Sequence, residues 1–292
     1  MRKAARLLIA ALLLLTVFAA CDKHAHDNEY GLAVAFTWQD LSDAGTPIQD
    51  IRLWIYDEDG EPVGSYHFSD VREAASQLFP LRAGKYTVVA AVNLVSPLTA
   101  DGEGKSMDEL LFTLDGTGTA LSHAWYGVAG VTVSADGVNS TDVALKRILS
   151  ELTVTITGAP EGTTLTGQVA GTATGVFPAV QGQDGYGLAA ASSAATDLPK
   201  AETHEGDLQI VALPLMPTAK GESGTSIEVQ LTSPDGQVQY CTLDAPPMEM
   251  AGKYVLDVCY DDLRATVRLS AHSISDWVKG WTIEREITDP VN

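Results

Sequence analysis

IRLWIYDEDGEPV, Ile51 to Val63, carries the pattern of the whole chain on a small scale. Ile51, Leu53 and Ile55 alternate with Arg52, Trp54 and Tyr56, the period of two that a β-strand imposes on its faces. The residues Asp57 to Pro62 then bring together the Asp, Gly and Pro of a tight turn. The same alternation recurs in both directions. Leu32, Val34, Phe36 and Trp38 point one way, and Tyr86, Val88, Ala90 and Val92 alternate with Thr87 and Val89. A strand is predicted over Thr141 to Leu145. Leu152, Val154 and Ile156 alternate with threonines, and further runs hold Ile227, Val229 and Leu231, then Tyr254, Leu256 and Val258, then Val267 and Leu269.

Turn chemistry separates these runs: RAGK at Arg82 to Lys85, SPDG at Ser233 to Gly236, AGK at Ala251 to Lys253. SPDG predicts a hairpin joining 226–232 to 237–243. Only Asp70 to Leu78 and Ser106 to Phe112 read as short helices. Gln181 to Asp207, rich in Gly, Ala, Ser and Thr, reads as a long surface loop. Short strands at this spacing indicate an all-β fold of β-sandwiches. A body of about 260 residues exceeds one sandwich, so two are expected, spanning 30–148 and 149–292, with a new strand opening at Glu151.

Before the first strand stands MRKAARLLIAALLLLTVFAAC. Arg2, Lys3 and Arg6 precede an apolar stretch from Leu7 to Ala20, and the small residues Ala19 and Ala20 precede Cys21. This is the layout of a secretory signal peptide, 1–20, ending on a lipidation cysteine. The stretch falls short of the roughly 20 apolar residues of a comfortable membrane span. Phe18 stands where a lipobox usually has Leu. The polar segment 21–29 then reads as a lipidated tether, within which His24 and His26 are expected to be solvated rather than to bind metal.

Removing Arg2, Lys3 and Arg6 from 18 basic residues leaves 15 against 38 acidic ones, a formal charge of −23 for the mature chain. Such a surface repels nucleic acid and anionic membrane. No motif of a nucleophile elbow, zinc protease, P-loop or dinucleotide fold occurs, so no catalytic residue, metal, cofactor or small-molecule substrate is expected. The turn at Asp57 starts like a calcium loop, but Phe68 stands where its closing glutamate belongs. Asp261 and Asp262 read as solvated acids at a strand end. Trp38 and Trp54 read as core, whereas Trp277 and Trp281 lie in a C-terminal segment. Cys241 and Cys259 fall in two predicted strands. If those strands pair, the thiols face each other as a disulfide in an oxidising compartment; two buried free thiols explain them equally well.

The lipobox at Cys21, IRLWIYDEDGEPV, RAGKYTVVAAVN at Arg82 to Asn93 and ALKRILSELTVTITGAP at Ala144 to Pro160 stand in one order. LPLMPT at Leu213 to Thr218, GKYVLDVCY at Gly252 to Tyr260 and ISDW at Ile274 to Trp277 follow them. This ordered set spans nearly the whole mature chain and resembles the fimbrial anchor lipoproteins of Bacteroidales, the FimB-like minor fimbrial subunits. The resemblance implies two tandem transthyretin-like β-sandwiches and a lipid-anchored protein on the outer membrane, exposed at the cell surface. It implies a tether for a fimbrium, with fimbrial shaft subunits as partners and no enzymatic residues. A glycan-binding surface lipoprotein of a polysaccharide-uptake system is the alternative, distinguished by exposed coplanar aromatics. With the N-terminus committed to lipid, a strand to donate to a shaft subunit is expected in the tail from Ser275. There Trp281, Ile283 and Ile287 fall on one strand face with Arg285. The same tail is equally suited to completing the second sandwich.

Overall fold

The computed structural model describes residues 31–39, 47–115, 121–182, 185–260 and 267–272. In chain order the first half holds β1 (Gly31–Trp38), β2 (Ile51–Asp57), β3 (Pro62–Phe68), α1 (Val71–Ser76), β4 (Leu78–Pro80), β5 (Gly84–Val92), β6 (Leu98–Asp101), β7 (Leu111–Leu114), β8 (Trp125–Val133) and β9 (Val138–Arg147). Then follow β10 (Ser150–Thr157), β11 (Thr164–Ala173), β12 (Gly175–Gly182), β13 (Gly185–Ala189), β14 (Ser193–Asp197), β15 (Glu202–His204), β16 (Asp207–Leu215), β17 (Thr225–Thr232), β18 (Val238–Ala245), β19 (Lys253–Cys259) and β20 (Val267–His272). The fold is all-β, and α1 is a single capped turn and a half: the Asp70 side chain accepts from the Arg72 amide at 2.6 Å.

The first sheet runs β3-β2-β5-β8-β9-β1-β4 and folds over itself at β9. Residues 138–145 of β9 pair in parallel with β1, while Lys146 and Arg147 pair with β8. Between the two flaps lies one core, with Leu32 and Val34 of β1 against Ile51, Leu53 and Ile55 of β2 and Val88, Ala90 and Val92 of β5. The rings of Trp38 and Trp125 meet edge to face there at 5.2 Å, a geometry worth about 0.5–1.5 kcal/mol beyond the area it buries.

β2 and β5 are apolar on both faces because both faces are covered. Trp54 and Tyr56 of β2, with Val89 and Ala91 of β5, point away from the first core into a second, which they share with Leu110, Phe112, Tyr126, Ile148 and Leu149. The far wall of this core is a sheet of order β13-β12-β7-β6. Its strands come from two distant parts of the chain: Phe112 and Thr113 pair with Val176 and Gly175. Val176, Ala179 and Met216 close it from that side.

After Leu149 the remaining strands form two sheets, β15-β16-β10-β19-β20 and β14-β11-β17-β18. Leu152, Val154 and Ile156 of β10, and Tyr254, Leu256 and Val258 of β19, pack across a third core onto Ile227, Val229 and Leu231 of β17. The threonines that alternate with the β10 apolar residues sit half-exposed on the outside. The hairpin expected at SPDG is present, with Thr232 opposite Val238.

Two local expectations are corrected. Ser106 to Phe112 is not helical. The Ser106 hydroxyl and the Glu109 carboxylate meet at 2.8 Å and the Glu109 amide returns to the Ser106 carbonyl, so the capping signal is spent on one turn. Leu111 to Leu114 are then taken by β6 and β12 into a sheet. Gln181 to Asp207 is not a surface loop, because it contains β13, β14 and β15. Its small residues serve close packing: a Cβ on Gly187 would stand 1.9 Å from the Tyr126 hydroxyl.

Candidate anchoring and assembly surfaces

The chain joins the described body at Gly31, on a strand flanked by β9 and β4. It reaches the far edge of the five-stranded sheet at β20, which pairs with β19 from Val258 opposite Val267 to Lys253 opposite His272. Cys21, the tether with His24 and His26, Asp261 and Asp262 lie outside the described residues. So does the tail from Ser275 with Trp277, Trp281, Ile283 and Ile287.

Cys241 and Cys259 are free thiols on strands of different sheets. The premise that their strands pair does not hold: Cys241 stands opposite Val229 of β17, and Cys259 opposite Thr157 of β10. Alternation separates them further. Cys241 is buried in the core with Leu243, while Cys259 lies with Asp257 on the outward side of β19. Burial pushes the Cys241 thiol above its usual range, away from the thiolate that makes a nucleophile.

The polar chemistry of the body gathers where its halves meet. The Tyr126 hydroxyl on β8 donates to the Tyr186 carbonyl of β13 at 2.6 Å, and the Lys146 ammonium donates to the same oxygen at 2.8 Å. Lys146 also lies over the Tyr126 ring, 5.1 Å from its centroid. Beside them Arg147 pairs with Glu151, both nearly buried, across the two-residue connection Ile148-Leu149. The Lys253 ammonium and the His123 ring each come within 3.6 Å of the same carboxylate. The sequence marks a division here, between residues 148 and 149, but does not show these roles. The Leu-Lys-Arg run was the available signal, since cations on a strand between apolar neighbours need partners when buried.

Elsewhere the polar groups serve local order. Buried Asp50 accepts from Arg52 Nε at 3.2 Å and lies 2.6 Å from His67 Nε2. Asn93, in the left-handed region at φ 55°, binds the Gln49 amide and the Pro47 carbonyl and so fixes the approach to β2. The Asp57 carboxylate accepts from the amides of Asp59 and Glu61, which makes the DEDG segment an Asx turn. Trp54 is buried and Trp38 partly so, as expected of core tryptophans, and Trp125 is buried with them. Among the described Phe, Tyr and Trp residues Tyr240 is the one strongly exposed ring, at 74%, beside a shallow cleft of about 320 Å³ with Gln168, Glu228 and Gln230. A single ring is not the coplanar set that the glycan-binding alternative calls for.

A family model described as fimbrillin-A associated anchor proteins Mfa1 and Mfa2 matches residues 26–286. Among solved structures, the fold is similar to that of the fimbrial anchor protein Mfa2 from Porphyromonas gingivalis. The TM-score is 0.55 and the identity 18%, over 87% of this chain and 98% of that one. It is also similar to a fimbrial assembly protein from Parabacteroides distasonis, with TM-score 0.52 and 13% identity over 87% of this chain and 97% of that one. No curated protein matches the chain. At such identities the structural likeness bears on fold, and the family match over most of the chain bears on membership. With its all-β body, its acidic net charge and a match over residues 26–286, this chain belongs to the fimbrillin-A associated anchor protein family and is a cell-surface fimbrial subunit.

Proposed function

We propose that this protein tethers a fimbrium to the outer membrane through lipid on Cys21 and contacts a fimbrial shaft subunit through its C-terminal tail. The observation that carries the reading is the run of three basic residues, an apolar stretch and Ala-Ala-Cys at the head of a fimbrial anchor family chain. Two or three acyl chains, at about 0.8 kcal/mol for each buried methylene, hold such a protein on a membrane almost permanently. The tail starts three residues beyond His272, the last residue of an edge strand. In this reading the segment that follows carries Trp281, Ile283 and Ile287 to the partner. We further propose that the body comprises two transthyretin-like sandwiches in tandem, divided near residues 148 and 149. Support comes from the sheets themselves: one is built wholly from residues before Ile148 and two wholly from residues after Leu149.

The test is fimbrial retention by cells carrying Cys21→Ser. Fimbriae that appear in the medium instead of on the cells support the tether. Normal retention, with the variant protein present in the cell envelope, contradicts it.

A further inference from the structure

β1 runs parallel to β9, from Gly31 opposite Val138 to Trp38 opposite Leu145. β10 runs parallel to β19, from Glu151 opposite Lys253 to Thr157 opposite Cys259. Every other named strand pair among the described residues is antiparallel. The two exceptions share a layout. Each half opens with a strand, and that strand's parallel partner is the one from which the chain moves on: β9 into the connection, β19 into the edge strand β20.

This layout fixes how the molecule meets a pull along its chain. When two antiparallel strands are drawn apart at one end, the load falls on the terminal hydrogen bond and the ladder opens one bond at a time. A parallel pair held by the N-terminus of its first strand and the C-terminus of its second is drawn in opposite directions along the strand axes. Its evenly spaced bonds are then loaded together and must fail together. Sliding would also drag Leu32 and Val34 out of the first core and Tyr254, Leu256 and Val258 out of the third.

We propose that β1–β9 and β10–β19 are tension-bearing clamps arranged in series, so that the anchor resists pulling by shear. The inference rests on the tether reading, which puts one attachment upstream of Gly31 and the other beyond Cys259. A pull through the tail first peels β20, whose last residue His272 lies beside Lys253, and then passes the load to Cys259 at the far end of the second clamp. Between the clamps the chain itself runs through Ile148 and Leu149, both buried and bridged by the Arg147–Glu151 ion pair, beside the β7–β12 pairing and the Tyr126–Tyr186 contact that also join the halves. The connection therefore has little slack to give.

The experiment is single-molecule pulling of the mature chain, unlipidated, in two geometries. One attaches handles at the two termini. The other attaches them at the N-terminus and at a ligation tag inserted beside Asp136, in the exposed turn before β9. Because Gly31 pairs with Val138, the second geometry peels β1 from β9 at one end, and the insertion lies in the turn held by Asn139, outside every β1–β9 pairing. A matching melting curve shows that the tagged chain keeps its fold. Terminal pulling is expected to need several-fold more force than the peeling arm. It should give two main ruptures whose lengths match release of 31–147 and of 150–259. The measurement involves no membrane, so its failure stands apart from failure of the lipid tether. Equal forces in the two geometries, or gradual opening under terminal load, overturn the clamps.

Discussion

The Tyr126 hydroxyl donates to the carbonyl oxygen of Tyr186 at 2.6 Å, and in doing so fastens a strand of the second half to the sheet of the first. Gly187, next along β13, has φ 109° and no room for a Cβ against that hydroxyl. Tyr126→Phe leaves the carbonyl with Lys146 as its remaining donor, at 2.8 Å, and is expected to cost about 1 kcal/mol. Gly187→Ala displaces the whole contact and strains the backbone, so it is expected to cost more, roughly 1–3 kcal/mol. Denaturant melts of both variants check the order. A Gly187→Ala protein as stable as the parent would mean that this junction is not tightly packed.

The two halves share a core, and the proposal of two sandwiches predicts that each still folds when they are cut apart. Fragments 30–148 and 149–292 are each expected to give strand-rich circular dichroism and a cooperative melt. Each should melt several degrees below the intact chain, because the cut exposes Leu110, Phe112 and Tyr126 on one side and Val176 and Met216 on the other. Non-cooperative melting of both fragments would point to one continuous folding unit.

Alkaline pH offers a separate check. Burial raises the Tyr56 and Tyr254 hydroxyls to about 12 from an ordinary value of 10.0; for Tyr254 the nearby Glu249 charge adds to this, while a backbone hydrogen bond opposes it. The unfolded chain then gives up these protons before the folded one does. Their contribution is complete below pH 10, declines between pH 10 and 12 by about 1.4 kcal/mol per unit for each group, and is gone above. The Tyr56 hydroxyl finds no hydrogen-bond partner among the described residues. Tyr56→Phe should therefore be neutral or stabilising at pH 7 and should blunt the alkaline decline. Melting curves across pH 8–12 would contradict this if parent and variant lost stability in parallel.

Truncation after Lys279 separates the two roles open to the tail. A truncated protein that melts like the parent but no longer binds a shaft subunit supports strand donation. One that unfolds assigns Trp281, Ile283 and Ile287 to the body's own core. One that folds and still binds places the contact elsewhere.

Much of the body was legible in the sequence because alternation and turn residues are local signals. The Ile51–Asp57 strand, the SPDG hairpin and the burial of Leu152, Val154 and Ile156 all follow from them. What was not legible depended on distant partners. Nothing near Phe112 announces Val176, so a stretch with a good helix cap joined a sheet instead. The small residues of 185–197 resembled a loop because the side chains that fill their space, Tyr126 among them, lie far off in the chain. Cys241 and Cys259 fall in strands as the alternation predicts, but nothing local shows that those strands lie in different sheets, with one thiol inward and the other outward. Tyr126 and Glu151, which join the halves, gave no signal beyond a polar group set among apolar neighbours.

A lipid-held anchor depends on Cys21 above any other residue. Cells expressing the parent or Cys21→Ser are grown with a labelled fatty acid and fractionated, and the protein is recovered from each fraction. The parent should carry label and sediment with the outer membrane, while Cys21→Ser should carry none and appear in soluble fractions. A parent protein without label, together with a variant that sediments as the parent does, would contradict a lipid-held anchor.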